Sequence, residues 1–166
     1  MLYDDARHVR RPARRDLRPM ARLDRLVRPG RGWGTTTIKS MLADDRVSCL
    51  VAGGGESVHG MAFAYRHKRF LELYYLATHP GSRRRGVATS LLNSYRLLFP
   101  HVYSMVPEDN LPLQLFLRAR GFRCYRARPV PGEGLFYEFA WHGADPPGDT
   151  SAVRLGCVEG PPEGVG

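Results

Sequence analysis

The sequence predicts an α+β fold in which one sheet is flanked by helices. Apolar residues recur at helical spacing over residues 16–27, and three strand-like segments then occupy residues 46–78. A polar loop containing Pro80, Gly81 and three arginines follows, and a second long helical pattern begins at its end. Connected strands followed by a glycine-containing loop and a helix are typical of α+β proteins and exclude an all-helical bundle.

Each element is bounded by turn-forming residues. Pro29 and Gly30 end the first helix, and three glycines at 53–55 separate two strands that can pair as a hairpin. The predicted elements in chain order are a strand at 8–10, helices at 16–27 and 35–43, strands at 46–52, 58–65 and 70–78, and helices beginning near residues 86 and 110. The buried face of the helix near residue 86 is predicted to comprise Val87, Leu91, Leu92, Tyr95 and Leu98.

The length of 166 residues fits one domain. We assign residues 1–142 to it. Residues 143–166 contain six Gly, four Pro and four acidic residues with little apolar periodicity, and such a composition cannot bury enough surface to order the chain. This segment is therefore predicted to be a disordered tail.

Several classes of protein are disfavoured by composition. No apolar run is long enough for a membrane span, and the N-terminus lacks the apolar core of a secretion signal. Cys49, Cys124 and Cys157 are far apart and form no CxxC pair, so neither a disulfide framework nor a zinc or other metal site is expected. A cytoplasmic location without membrane attachment fits best.

The net charge of +9 does not by itself indicate nucleic-acid binding. Arginine supplies 23 of the 25 basic residues, a bias that genome base composition can produce. Residues 1–31 contain ten Arg and four Asp, which is compatible with a phosphate-contacting surface or with the solvated side of a helix. No specific nucleic-acid partner is predicted.

The loop between Thr78 and the helix near Gly86 carries the chemical information. Backbone N–H groups at a helix N-terminus are unpaired and favour a negative charge. Gly86 and the small Ala88 allow close approach of a phosphate, and three arginines at 83–85 add positive charge. The loop is therefore either a pyrophosphate cradle or an ordinary strand–helix connection with surface arginines.

The spacing Arg83-x-x-Gly86-x-Ala88, after a strand and His79-Pro80, resembles the Q/R-x-x-G-x-G/A signature of the GCN5-related N-acetyltransferase (GNAT) family. Residues 110–122 (Asn, a short helix, then Gly-Phe) resemble the next hallmark of that family. The resemblance spans residues 7–141 and is most evident to bacterial ribosomal-protein alanine N-acetyltransferases. The spacing matches neither a dinucleotide fingerprint nor a P-loop.

The resemblance implies a mixed, mostly antiparallel, V-splayed sheet with acetyl-CoA as cosubstrate in its notch. The acetyl acceptor would be an amine, such as the N-terminal α-amine of a ribosomal protein. Asn110 would contact the cofactor, although capping of its own helix explains this residue equally well. The implied pantetheine contacts are the backbone groups of Leu76, Ala77 and Thr78, and the implied pyrophosphate contacts are the backbone amides of Arg84, Arg85, Gly86, Val87, Ala88 and Thr89.

Two positions depart from the family pattern. The similar ribosomal-protein enzymes carry a catalytic Glu five residues before the hallmark Asn and a Tyr seven residues after it, where this chain has Met105 and Leu117. Both catalytic side chains are thus expected to be missing, which leaves a catalytically degenerate CoA-binding module, with a sensing or structural role, as the alternative. Glu72 is the candidate replacement base, against the reading of a solvent-facing strand residue. The weaker candidates for the chemistry are His67, His79, Tyr125 and Tyr137.

Overall fold

A seven-stranded sheet forms the centre of the protein in a computed structural model that describes residues 5–54 and 56–143. The strands are β1 (Val9–Arg10), β2 (Val47–Ala52), β3 (Gly60–Arg66), β4 (Leu71–Thr78), β5 (His101–Pro107), β6 (Arg123–Val130) and β7 (Gly134–His142). Their order is β1-β2-β3-β4-β5-β7-β6, and every neighbouring pair is antiparallel except β4 and β5. The predicted α+β fold with a mixed, mostly antiparallel sheet is confirmed.

Helices cover both faces of the sheet. The helices of the described residues are α1 (Leu17–Val27), α2 (Thr35–Leu42), α3 (Val87–Leu98) and α4 (Leu111–Ala119). Side chains alternate along each strand, so Leu50 packs with α3 and α4 while its neighbours Cys49 and Val51 pack with α1 and α2. Two separate apolar cores result, one on each side of the sheet.

Side chains of helix α3 pack directly over Gly60 where the helix crosses β3. A Cβ atom on Gly60 would be only 2.5 Å from Cγ1 of Val87 and 3.1 Å from Cδ1 of Leu91. A glycine at this strand position therefore sets the distance between helix and sheet. That distance in turn fixes the height of the helix N-terminus above the end of β4.

The predicted elements agree with the structure to within one or two residues, but one predicted core residue is wrong. Leu98 is 63% exposed, because α3 ends there and Phe99 adopts an extended conformation. Phe99 packs against the core in its place.

The free thiol of Cys49 is buried, and that of Cys124 is half-buried. Cys157 and the predicted tail beyond residue 143 lie outside the described residues. No helix in the described ranges is both long and apolar enough to cross a membrane.

Candidate active site

The strands β4 and β5 separate from each other soon after they meet. Their register contains only the pairs Leu71–Val102 and Glu72–Tyr103, although β4 continues to Thr78. The Ser104 hydroxyl donates a hydrogen bond to the Leu73 carbonyl at 2.8 Å, at the point where pairing ends. Beyond it the edge of β4 faces an open notch, which is the V-shaped splay that the resemblance implied.

The remainder of β4 is held by β3 on its other side. Thr78, Ala77 and Leu76 pair with residues 60–62, and backbone groups in an antiparallel pair point alternately toward the partner and away from it. The outward groups of residues 76–78 therefore face the notch. The structure thus exposes to the notch the outward backbone groups of the segment 76–78, and their contact with pantetheine stays a prediction.

A β-bulge turns two aromatic side chains to the same face of β4. Phe63 pairs with Tyr75 and Ala64 pairs with Leu73, so Tyr74 has no register partner. Tyr74 and Tyr75 both pack with the core on the α1–α2 side. The sequence gives no signal for this bulge, because the strand reads as a continuous apolar run.

The loop after β4 leaves a row of backbone amides available. Gly86 adopts φ +79° at the N-terminus of α3, and the Ser90 N–H donates to its carbonyl at 2.9 Å as the first helical bond. Within the described part of the chain, the amides of Gly86, Val87, Ala88 and Thr89 consequently find no acceptor. The helix dipole places positive potential at these amides, so the residues present fit a pyrophosphate.

The arginine at position 84 adopts φ +62°, a conformation that non-glycine residues rarely take. His79 stabilises the start of the loop, since its Nδ1 accepts a hydrogen bond from the Gly81 N–H at 3.1 Å. His79 therefore has a structural role in the loop.

The N-terminal segment contacts the loop between β4 and α3 through Arg7. Arg7 Nε donates to the Arg85 carbonyl at 2.6 Å, and a Cβ on Gly86 would be 3.3–3.4 Å from the Arg7 guanidinium. The positive φ of Gly86 therefore favours glycine, and a side chain there would also press against the end of the Arg7 side chain. Sequence reasoning missed Arg7, and its only signal was membership of an arginine-rich segment.

Other arginines of residues 1–31 also serve internal contacts. Arg10 forms an ion pair with the buried Asp16 at 2.6 Å, and Arg28 forms one with the buried Asp24 at 2.8 Å. Arg10 and Arg28 are therefore not part of a basic surface that contacts only solvent.

Asp24 ties the α1–α2 side to β4. Its carboxylate is fully buried and accepts hydrogen bonds from the Arg28 guanidinium, the Trp33 N–H and the Tyr75 hydroxyl, the last at 2.5 Å. Burial alone would raise the pKa of Asp24, but these hydrogen bonds and the Arg28 charge hold it below its usual value. Arg28 also lies over the Trp33 and Tyr75 rings, at 4.3 and 4.8 Å.

Asn110 begins α4. Its side-chain oxygen accepts a hydrogen bond from the Leu113 N–H at 3.3 Å, so the helix-capping role is present. Gln114 supports the same connection by donating to the carbonyls of Pro107 and Glu108. Contact between Asn110 and a cofactor stays a prediction.

Glu72 lies at the apex of the notch, in the last register pair between β4 and β5. Its carboxylate is 3.0 Å from Nε2 of His67, and its side chain is 30% exposed. The His67 ring stacks on Phe70 at 4.3 Å, which fixes its orientation. Glu72 points away from the side of β4 that carries the buried Leu71 and Leu73, and therefore toward the α1–α2 side.

The two positions that depart from the family pattern, 105 and 117, lie in different environments. Leu117 is fully buried in the core, whereas Met105 is half-buried on β5. The register partner of Met105 is Glu138 of β7, a buried carboxylate that pairs with Arg126 at 2.7 Å. Sequence reasoning missed Glu138, although an acidic residue within the aromatic segment 135–141 is an available signal.

The two C-terminal tyrosines lie apart from one another. Tyr137 packs against the core on the α3–α4 side, while the exposed Tyr125 has its hydroxyl hydrogen-bonded to Nε2 of His142. Neither contact identifies a catalytic acid.

The model of the acetyltransferase (GNAT) family matches residues 11–122, which is more than half of the chain. The protein therefore belongs to the acetyltransferase (GNAT) family. No curated protein matches the sequence itself.

Solved structures share this fold at low sequence identity. Ard1 from Thermoplasma volcanium has a TM-score of 0.71 at 17% identity, covering 83% of this chain and 98% of its own. The ribosomal-protein-S18-alanine N-acetyltransferase from Escherichia coli has a TM-score of 0.68 at 14% identity, covering 86% and 97%. An aminoglycoside 6'-N-acetyltransferase complexed with coenzyme A has a TM-score of 0.69 at 13% identity, covering 84% and 99%.

Replacing Asp24 by Asn is expected to lower the free energy of unfolding at pH 7 by about 2 kcal/mol, because the Arg28 charge loses its buried partner. The folded-state pKa of Asp24 is depressed, so its stabilising effect is complete above about pH 5 and is lost as the pH falls through the folded-state pKa. Urea unfolding from pH 3 to 7 should show a flatter acid limb for Asp24→Asn. Asp45→Asn, at an exposed position outside this network, is the control. An unchanged acid limb in Asp24→Asn would contradict the role of this carboxylate.

Changing Gly86 to Val should weaken CoA binding more than changing Arg84 to Ala. The valine both strains a backbone at positive φ and crowds the amides, whereas Arg84 contributes a surface charge worth about 1 kcal/mol or less. Calorimetric titration of each folded variant with CoA measures the difference. Gly30→Val supplies the control, since Gly30 has φ +75° with open space around it and should lose stability without losing CoA affinity. A greater affinity loss in Arg84→Ala would show that side-chain charge, not the backbone, holds the cofactor.

Proposed function

We propose that this protein transfers the acetyl group of acetyl-CoA to a primary amine, and that the acceptor is the N-terminal α-amine of a protein. The observation that carries the proposal is the continuity of the open β4 edge with the amide cradle at the start of α3. An extended pantetheine needs backbone partners, and a pyrophosphate needs unpaired amides. Family membership supports the same cosubstrate.

The proposed contacts with acetyl-CoA lie along the open edge of β4 and at the N-terminus of α3. The β4 backbone at Leu76, Ala77 and Thr78 would hold the pantetheine amides. The cradle would hold the pyrophosphate through the amides of Arg84, Arg85, Gly86, Val87, Ala88 and Thr89. Acetyl-CoA supplies an activated thioester, and the chain supplies orientation and proton transfer.

Proton removal is assigned to Glu72 and His67. The attacking amine must be neutral, and a carboxylate at the apex of the notch can accept its proton directly or through water. As the new C–N bond forms, the C–S bond breaks and the electron pair leaves with the CoA sulfur. The proton lost by the amine passes to the Glu72 carboxylate, and His67 at 3.0 Å can share it.

The acceptor would approach from the α1–α2 side, opposite the helix that carries the cradle. Trp33 and Tyr75 form an aromatic wall there, with ring centroids 4.8 Å apart, and Asp24 and Arg28 fix it. Such a wall suits the backbone and first side chain of a peptide. The ribosomal-protein-S18-alanine N-acetyltransferase, which has the same fold, supports a protein acceptor. A cytoplasmic location belongs to this proposal.

One observation favours the alternative of a CoA-binding module without catalysis. Leu117 is buried in the core, and no tyrosine hydroxyl replaces it at that point of α4. The two functions predict different outcomes with the same reagents.

A panel of N-terminal peptides, small amines and aminoglycosides incubated with acetyl-CoA tests the proposal, with thiol release and product mass as readouts. We expect acetylation of at least one class of peptide N-terminus, well above background hydrolysis. CoA binding without acetyl transfer to any amine would favour the degenerate module, and absence of CoA binding would refute both.

Substituting Glu72 by Gln should lower kcat by roughly 100-fold near neutral pH, as expected on removing a general base. Its affinity for CoA should be unchanged, because the carboxylate lies at the far end of β4 from the cradle. Glu133→Gln, in the exposed β6–β7 turn, is the matched control. Rates equal to those of the unmodified protein over pH 6–9 would exclude Glu72 as the proton acceptor.

A further inference from the structure

Arg120 bridges the end of α4 and the first turn of α3. Its Nε and Nη2 atoms lie 3.1 and 2.9 Å from the Thr89 hydroxyl oxygen, and its guanidinium lies 5.0 Å from the centre of the Phe116 ring. Thr89 belongs to the helical turn that supplies the amide cradle. A half-buried arginine is thus fixed beside the cradle by three contacts.

The position is electrostatically unfavourable for a cation. The N-terminus of a helix carries positive potential, and a positive side chain there is destabilising without a compensating anion. Arg120 has no acidic partner among the described residues.

A second arginine holds the backbone of Arg120 in place. Arg96 donates a hydrogen bond to the Arg120 carbonyl, stacks over Trp141 at 4.7 Å, and has a buried Nε without a partner in the described chain. Burial and the Arg120 charge both lower the pKa of Arg96. Arg96 belongs to the last turn of α3, so it fixes the backbone of Arg120 while the Arg120 side chain alone reaches the first turn and the cradle.

CoA carries a suitable group in addition to its pyrophosphate. The cradle amides already satisfy the pyrophosphate, whereas the ribose 3'-phosphate is a monoester with about −1.5 to −2 charges near neutral pH, like other phosphate monoesters. A guanidinium has five N–H donors, and contact of Nε and Nη2 with Thr89 leaves the Nη1 edge available. That edge can donate to phosphate oxygens.

We infer that Arg120, positioned by Thr89 and Phe116, binds the 3'-phosphate of CoA and makes this protein discriminate CoA from 3'-dephospho-CoA. The inference rests on the proposed function only in requiring that CoA occupies the cradle. It goes beyond that function by assigning a side chain outside the signature motif and the part of the cofactor that it recognises.

The test is a set of calorimetric titrations with CoA and with 3'-dephospho-CoA. The unmodified protein should bind CoA at least tenfold more tightly, as expected for a charge-assisted hydrogen bond. Arg120→Gln should lose about tenfold in CoA affinity and little in dephospho-CoA affinity. Arg118→Gln, which removes the same charge from an exposed site on α4, should leave the preference intact.

Thr89→Val provides a second variant that keeps the arginine and the cradle amide. It should reduce the preference for CoA by releasing Arg120 from its anchor, even if Arg120→Gln fails to fold. Equal loss of affinity for both ligands in Arg120→Gln would assign the arginine to the pyrophosphate and overturn the inference, as would an unchanged preference. Since every readout is binding, failure of acetyl transfer would refute the proposed function and leave this result standing.

Discussion

The short parallel contact between β4 and β5 is the constraint on which the site depends. Two register pairs and the Ser104 hydroxyl bond to Leu73 join the halves of the sheet, and beyond them the strands diverge. If β4 and β5 continued to pair, the outward N–H and C=O groups of residues 76–78 would be hydrogen-bonded to β5. Because β4 is held by β3 alone along that stretch, its edge stays open and leads directly to the N-terminus of α3. The splay therefore creates the notch and aligns it with the cradle.

The two faces of the sheet serve different purposes. On one face, the packing of α3 over Gly60 positions the N-terminus of α3 relative to β4. Arg7 stabilises the preceding loop by its hydrogen bond to the Arg85 carbonyl. On the other face the buried Asp24 carboxylate holds Tyr75 of β4 against the α1–α2 loop. A charge so deeply buried stabilises the fold only when fully hydrogen-bonded, so this network also keeps the aromatic wall rigid. In the proposed function, the phosphate would therefore bind at α3 and the acceptor on the α1–α2 side, on opposite faces of the sheet.

Sequence reasoning succeeded where chemistry is local and failed where it depends on register. Helix limits, the Asn110 cap and the glycine at position 86 follow from short-range rules, and the structure agrees with them. Three features join segments that are far apart in the chain. They are the bulge at Tyr74, the pairing of Glu138 with Met105, and the hydrogen bond from Arg7 to the loop. Periodicity cannot show which residue lies opposite another across a strand pair. The roles of the individual site residues stay predictions for the same reason.

Amide hydrogen exchange with and without acetyl-CoA tests the central claim most directly, because the proposed cofactor contacts are made by backbone groups. Binding should slow exchange at the outward-facing amides of residues 76–78. It should also slow exchange at residues 86–89, whose N–H groups are accepted by no described carbonyl. Exchange in α2 and in the β6–β7 turn should change little. Protection that is absent from residues 86–89 while acetyl-CoA is demonstrably bound would contradict the cradle and the account built on it.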